Sequence, residues 1–205
     1  ILNISDIPAL CKQNNMKACA LTDRNLMSGV AEFSAVMPQN GIKPMIGIDI
    51  SLNHHSVDTK LLRIDSLSKI VLLAKNHEGY LNLCKLNRIM YMRNNDLHLG
   101  PHVDFDELEK HKNGIICLSG SYKGPIGKSF LVDEDETAFN IAERLSNIYL
   151  NNFYIELQRH GLAEQIKIEN KQLDLASKLN LPIVATNAVR FKDMESFEAA
   201  DALNC

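Results

Sequence analysis

The stretch FYIELQRHGLAEQIKIENKQLDLASKLNLPIVA, Phe153 to Ala185, decides the fold class. Phe153–Leu157 is a short, mostly apolar run with aromatic and β-branched residues, which suits a strand covered on both faces. Leu162 to Leu179 predicts a long helix. Leu181 to Ala185 is apolar again and predicts the next strand. Strand, helix and strand in immediate succession are the pattern of an α/β fold.

The same alternation runs outward from this unit. Upstream, Glu134 to Ile148 predicts a helix with Ala138, Ile141, Ala142 and Leu145 on one face. Ile115–Leu118 and Ile70–Ala74 predict buried strands, with a Gly-Ser loop from Ser119 to Gly127. Between those strands lie a helix, His77 to Met90, with Leu81, Cys84, Leu86 and Ile89 inward, and a short acidic helix, Asp104 to Lys112. Closer to the start, Lys43 to Leu52 is a strand, Gly29 to Gln39 a helix and Ala18–Leu21 a strand. Ser5 or Asp6 caps a first helix that runs to Asn14, with Pro8 in its opening turn. Met194 to Leu203 is the last helix, and no internal repeat is read. An open doubly wound sheet and a closed barrel both fit. In either, chemistry belongs at the C-terminal strand ends: Thr22-Asp23-Arg24, Gly47-Ile48-Asp49, Ser119-Gly120-Ser121, Gln158-Arg159-His160 and Thr186-Asn187-Ala188.

Composition narrows the function classes. The 205 residues suit one domain, or one with a small appendage. A net charge of -3 argues against an autonomous nucleic-acid binder, though it leaves room for a local basic strip. The five cysteines form no C-x-x-C pair, so a zinc knuckle is not expected; they read as reduced thiols of a cytoplasmic protein. No apolar run approaches the roughly 20 residues of a membrane span. The start carries no basic segment of a signal peptide and no initiator methionine, so a preceding segment is expected.

Several motifs invite chemistry and do not sustain it. Gly127-Lys128-Ser129 ends like a phosphate loop, but Tyr122 stands where the first glycine belongs and Pro125 removes an N–H. His54-His55 are adjacent and point apart on an extended chain. His98, His102 and Asp104 have ligand chemistry but lie in a polar loop, and His160 reads as a hydrogen-bonded structural histidine, with a role at the strand-end site as the alternative. No G-x-S-x-G and no G-x-G-x-x-G occurs.

Five ordered blocks carry a resemblance. They are ALTDRNLMSGV (20–30), GIKPMIGID (41–49), VLLAKNHEGYLNL (71–83), YIELQRHGLAEQ (154–165) and LPIVATNAVR (181–190). Together they resemble the PHP (polymerase and histidinol phosphatase) domains of bacterial C-family replicative polymerases, over residues 1–205. The resemblance implies a distorted (β/α)7 barrel, here without the family's first strand and loop and without the palm, fingers and later domains. It implies that metal-competent members hold about three metal ions on nine His, Asp, Glu and Cys ligands.

Six of those ligand positions fall on Arg24, Asp49, Lys69, Ser121, Ala188 and Arg190, with Asp23 and His160 nearby. Only Asp49 keeps ligand chemistry, so no catalytic residue, no metal and no cofactor are expected here; the Mg2+ of the family belongs to the absent palm. A cation from Arg24, Lys69 or Arg190 paired with Asp49 or Asp23 would replace the metal as an internal tie; the alternative is drift to solvated surface side chains. The resemblance implies a non-catalytic domain of a replicative polymerase. It would support the polymerase fold and dock a proofreading exonuclease subunit among other replicase subunits, with DNA held by other domains. The alternative is an active PHP phosphoesterase or 3'-5' exonuclease.

Overall fold

The computed structural model describes residues 2–54, 67–92, 99–189, 191, 192 and 197. The chain divides into two compact units, residues 1–21, 28–46 and 187–205, and residues 22–27 and 47–186.

The first unit holds α1 (Ile7–Gln13), β1 (Ala18–Leu21), α2 (Val30–Gln39) and the opening residues of β2 (Lys43–Asn53). β1 and β2 are parallel, with Ala18 beside Lys43 and Leu21 beside Ile46. Phe33 and Met37, one helical turn apart, are fully buried with Ile7, Cys11 and Ile42.

Both helices of this unit stop in the same way. After α2, the Ile42 N–H donates to Met37 O at 3.1 Å and the Gly41 N–H to Pro38 O at 3.0 Å. After α1, the Met16 N–H donates to Cys11 O at 2.8 Å and the Asn15 N–H to Lys12 O at 3.1 Å. These are paired Schellman bonds, with Asn15 (φ 55) and Gly41 (φ 73) in the left-handed conformation the motif needs. Asn14 and Asn40 each donate a side-chain amide to the carbonyl four residues back, at 2.9 and 3.0 Å. The segments align as Gln-Asn-Asn-Met-Lys (13–17) and Gln-Asn-Gly-Ile-Lys (39–43). This five-residue repeat of capping geometry is local and is not an internal repeat of the fold.

The second unit is built on the rest of β2 with β3 (Ser68–Ala74), β4 (Val103–Asp104), β5 (Ile115–Leu118), β6 (Phe153–Leu157) and β7 (Ile183–Ala185). The order is β2-β3-β5-β6-β7, with β4 beside the end of β2. β5, β6 and β7 are parallel, whereas β3 runs against both β2 and β5. The succession of parallel strands expected from the alternation does not hold at β3, which is antiparallel to both of its neighbours. Its helices are α3 (His77–Met92), α4 (Phe105–Lys110), α5 (Pro125–Leu131), α6 (Asp135–Tyr149) and α7 (Ala163–Lys178). The core joins Ile48, Ile50, Ile70, Leu72, Cys117, Phe153 and Ile155 of the sheet to Leu83, Leu86, Ala142, Leu145, Ile168 and Leu175 of the helices.

Three local readings need correction. α5 occupies part of the expected Gly-Ser loop: Pro125 opens it, and five of its seven residues are buried, so packing outweighs the glycine. α3 turns Gly79, Leu83, Leu86 and Met90 inward and leaves Leu81 exposed, because Gly79 lies against Gly114 and fixes the helix rotation. β7 leaves Ile183 46% exposed, so a continuous apolar run does not mark a strand covered on both faces. The last predicted helix, Met194 to Leu203, lies largely outside the described residues, as does Cys205.

Candidate functional site

The loop after β1 runs beside β2. The Asp49 N–H donates to Asp23 O at 3.1 Å, and the Asn25 N–H donates to Asp49 O at 2.8 Å. Asn25 (φ 56) locks this loop. Its side chain donates to Ser51 Oγ at 3.0 Å and accepts the Ser51 N–H at 2.9 Å. Its carbonyl accepts from Asn87 Nδ2 and from the Tyr91 hydroxyl, each at 3.0 Å. Arg24 bridges to Asp49 through the backbone, and the Asp23 and Arg24 side chains are exposed.

β3 supplies the neighbouring cation. Lys69 lies opposite Ser51 and diagonal to Asp49 on one face of the antiparallel pair. Lys69 Nζ stands 3.8 Å from Asp49 Oδ2, and both side chains are largely buried, 15% and 22% exposed. The ionic contact anticipated for Asp49 is thus made by Lys69.

The exit of β5 presses on the same place. Gly120 has φ 81, and a Cβ there would meet the Lys69 carbonyl at 1.8 Å. Ser121 follows, buried and at φ 49. Gly124 and Gly127 pack as closely, against Ser119 O and Ser121 O. These glycines serve backbone contact rather than a phosphate, and Lys128 donates to Leu67 O at 2.7 Å.

The residue that sequence reasoning passed over is Glu156 of β6, 2% exposed. Its Oε2 accepts the Gly120 N–H at 3.0 Å, and its Oε1 accepts from Gln158 Nε2 at 3.2 Å and from the Thr186 hydroxyl. Its own N–H donates to Ser119 Oγ at 2.9 Å. One carboxyl therefore gathers the C-terminal ends of β5, β6 and β7. Burial raises its pKa, hydrogen bonds from Thr186, Gly120 and Gln158 oppose the rise, and the charge of Asp49 adds to it. An acid inside the apolar run Phe153–Leu157 is the signal that could have found it.

The remaining candidates are dispersed. The His160 N–H donates to Gln165 Oε1 at 2.8 Å, and its Nδ1 faces Gln165 Nε2 at 3.1 Å, which pins it to the first turn of α7. His102 Nδ1 lies 2.8 Å from Gly100 O, and Asp104 closes a capping box on α4. Ala188 is exposed in the first unit and offers no donor. Arg190, His55 and His98 lie outside the described residues. Among the described residues no three His, Cys, Asp or Glu side chains converge as a metal site. A multinuclear metal centre does not fit these donors: Lys69 puts an ammonium beside Asp49, Ser121 is neutral and Arg24 is cationic.

A PHP domain profile matches residues 1–160. The chain belongs to the PHP domain family. Its curated relatives include the DNA polymerase III alpha subunits of Rickettsia bellii, 34% identical over 204 residues, and of Vibrio cholerae, 36% identical over 199. These matches cover 100% and 96% of this chain and 17% of each relative, so this PHP chain spans about a sixth of their length. Borreliella burgdorferi provides a third, 35% identical, covering 98% of the chain and 18% of the relative.

Two solved structures share the fold. A protein assigned as a metal-dependent phosphoesterase of Bifidobacterium adolescentis superposes with TM-score 0.52 at 10% identity, over 97% of this chain and 90% of its own. An amidohydrolase of Chromobacterium violaceum gives TM-score 0.51 at 13% identity, over 93% and 82%. The α/β fold of the PHP barrel type implied by the resemblance is the fold these chains share.

Proposed function

We propose that this chain is a non-catalytic PHP domain of a replicative DNA polymerase alpha subunit, which supports the polymerase and docks a proofreading exonuclease subunit in the cytoplasm. The observation that carries the reading is Lys69 Nζ at 3.8 Å from Asp49 Oδ2. An ammonium beside the one carboxylate that stands at a ligand position implied by the resemblance supplies the positive charge that a metal would supply, and repels a metal from it. Arg24 and Ser121 at two further ligand positions support the same reading, because neither adds a metal-binding anion. Glu156 supports it from the structural side, since its carboxyl accepts from Gly120, Gln158 and Thr186 and so ties three strand ends through protein donors.

Relatives named as DNA polymerase III alpha subunits support the replicase setting. The parent's DNA synthesis and its partners are carried over from that setting. Among the described residues no helix is long and apolar enough to cross a membrane.

The test is elemental analysis of the protein, paired with a nuclease assay in manganese and co-purification with the exonuclease subunit. The expected result is no stoichiometric metal, no hydrolysis and a stable complex. Two or three metal ions per chain with hydrolysis would mean that this domain is a phosphoesterase.

A further inference from the structure

The repeated helix ends of the first unit assemble three lysines from two turns. Lys12 Nζ donates to Asn40 Oδ1 at 2.8 Å, joining the end of α1 to the end of α2. The Lys43 N–H donates to Lys17 O at 2.9 Å, setting the first residue of β2 beside the residue that precedes β1. Lys12, Lys17 and Lys43 are all exposed, as are Gln13, Asn15 and Gln39 between them.

Charge is sorted along the helices of this unit. Residues 7–22 carry Lys12 and Lys17 and no acid, and residues 33–48 carry Lys43 and no acid. Asp6 immediately precedes α1 and Glu32 lies in the first turn of α2, at the far ends of both helices. In a chain of net charge -3, these two acid-free segments meet at one place. A lysine in the last turn complements the helix dipole, which accounts for Lys12. It does not account for Lys17 and Lys43. Each lies beyond its helix, three residues past the capping asparagine, at the matching position of the repeat.

We propose that this strip, Lys12, Lys17 and Lys43 with Gln13, Asn15 and Gln39, binds the sugar-phosphate backbone of duplex DNA without regard to sequence. Lysine and neutral amides are the side chains that contact phosphates, and such contacts position a protein without reading bases. Residues 12–17 and 39–45 contain no aromatic side chain, so there is no shelf on which the bases of a single strand would stack. The preference for nucleic acid over an acidic protein rests on the reading of this chain as part of a DNA polymerase subunit.

The test is fluorescence anisotropy of a labelled random-sequence duplex, with the salt concentration raised stepwise. Three phosphate contacts predict a slope of log Kobs against log salt of about -2.7, and each single Lys→Gln change at 12, 17 or 43 flattens it by about 0.9. The triple variant K12Q/K17Q/K43Q loses binding. A control that removes the same charge elsewhere, K110Q/K123Q/K178Q, keeps it, and circular dichroism melts show that both variants fold. Absence of binding at low salt would overturn the proposal. So would equal loss in the control, or competition by polyglutamate as strong as that by unlabelled duplex. Metal content and manganese-dependent hydrolysis are read without reference to these lysines, so the two readings fail separately.

Discussion

Glu156 holds its proton to higher pH than an exposed glutamate does, first because burial penalises its charge. The charged and titratable groups that bear on it are Asp49 of β2, paired with Lys69 of β3, and the buried Cys117 thiol of β5. The native state therefore binds more protons than the unfolded chain between the unfolded and folded pKa values. Unfolding free energy falls as pH rises through that window. The stabilisation is complete below the unfolded value of about 4.3 and is lost as pH climbs through the folded value. Glu156→Gln keeps the shape and cannot titrate. The excess of the wild-type melting temperature over that of the variant is expected to grow as pH falls from neutrality toward the unfolded value of about 4.3. A constant difference would mean that Glu156 is ionised in the fold. The sequence shows the acid but not its role, because Gly120 and Thr186, the residues that give it meaning, lie 36 and 30 positions away. Lys69 was legible as a cation at a ligand position. Its approach to Asp49 depends on the register of β2 and β3, which no local pattern specifies.

Helix ends and turns set the geometry at the scale of elements. Besides α1 and α2, the helices α5 and α7 also close with paired bonds around a left-handed residue, Asp133 and Asn180. Two glycines in left-handed conformations separate strain from space. Gly41 (φ 73) has nothing within 4 Å of an added Cβ, whereas at Gly120 (φ 81) that atom falls 1.8 Å from Lys69 O. Gly41→Ala is expected to cost about 1–2 kcal/mol, the penalty of the conformation alone. Gly120→Ala adds a clash with backbone and is expected to cost more than about 4 kcal/mol, read from urea unfolding of the two variants. Similar midpoints for both would show that the β5 exit yields. The strands Ile115–Leu118 and Phe153–Leu157 coincide with their apolar runs, because both lie in the middle of the sheet order. The direction of β3 and the existence of α5 were not legible. The first depends on which strand β3 pairs with, and the second on burial that offsets poor intrinsic propensity.

For the whole molecule, the ordered blocks were enough to read the family, and the profile match over residues 1–160 agrees with them. The proposed replacement of metal ligands by tertiary ties has a thermal consequence. A bound metal stabilises by mass action, so a metal-dependent fold loses melting temperature in chelator. This protein is expected to melt within about 1 °C of the same temperature in EDTA and in added manganese. A drop of several degrees in EDTA would reveal a structural ion. The matched turns of α1 and α2 bear on how such a chain tolerates changes of length. β1 and β2 are parallel and paired Ala18 to Lys43, so the two turns must deliver their strands in step. A one-residue slip of either strand against the other would carry its later side chains to the opposite face. The two caps, residues 13–17 and 39–43, thus act as matched spacers that hold the register of β1 on β2.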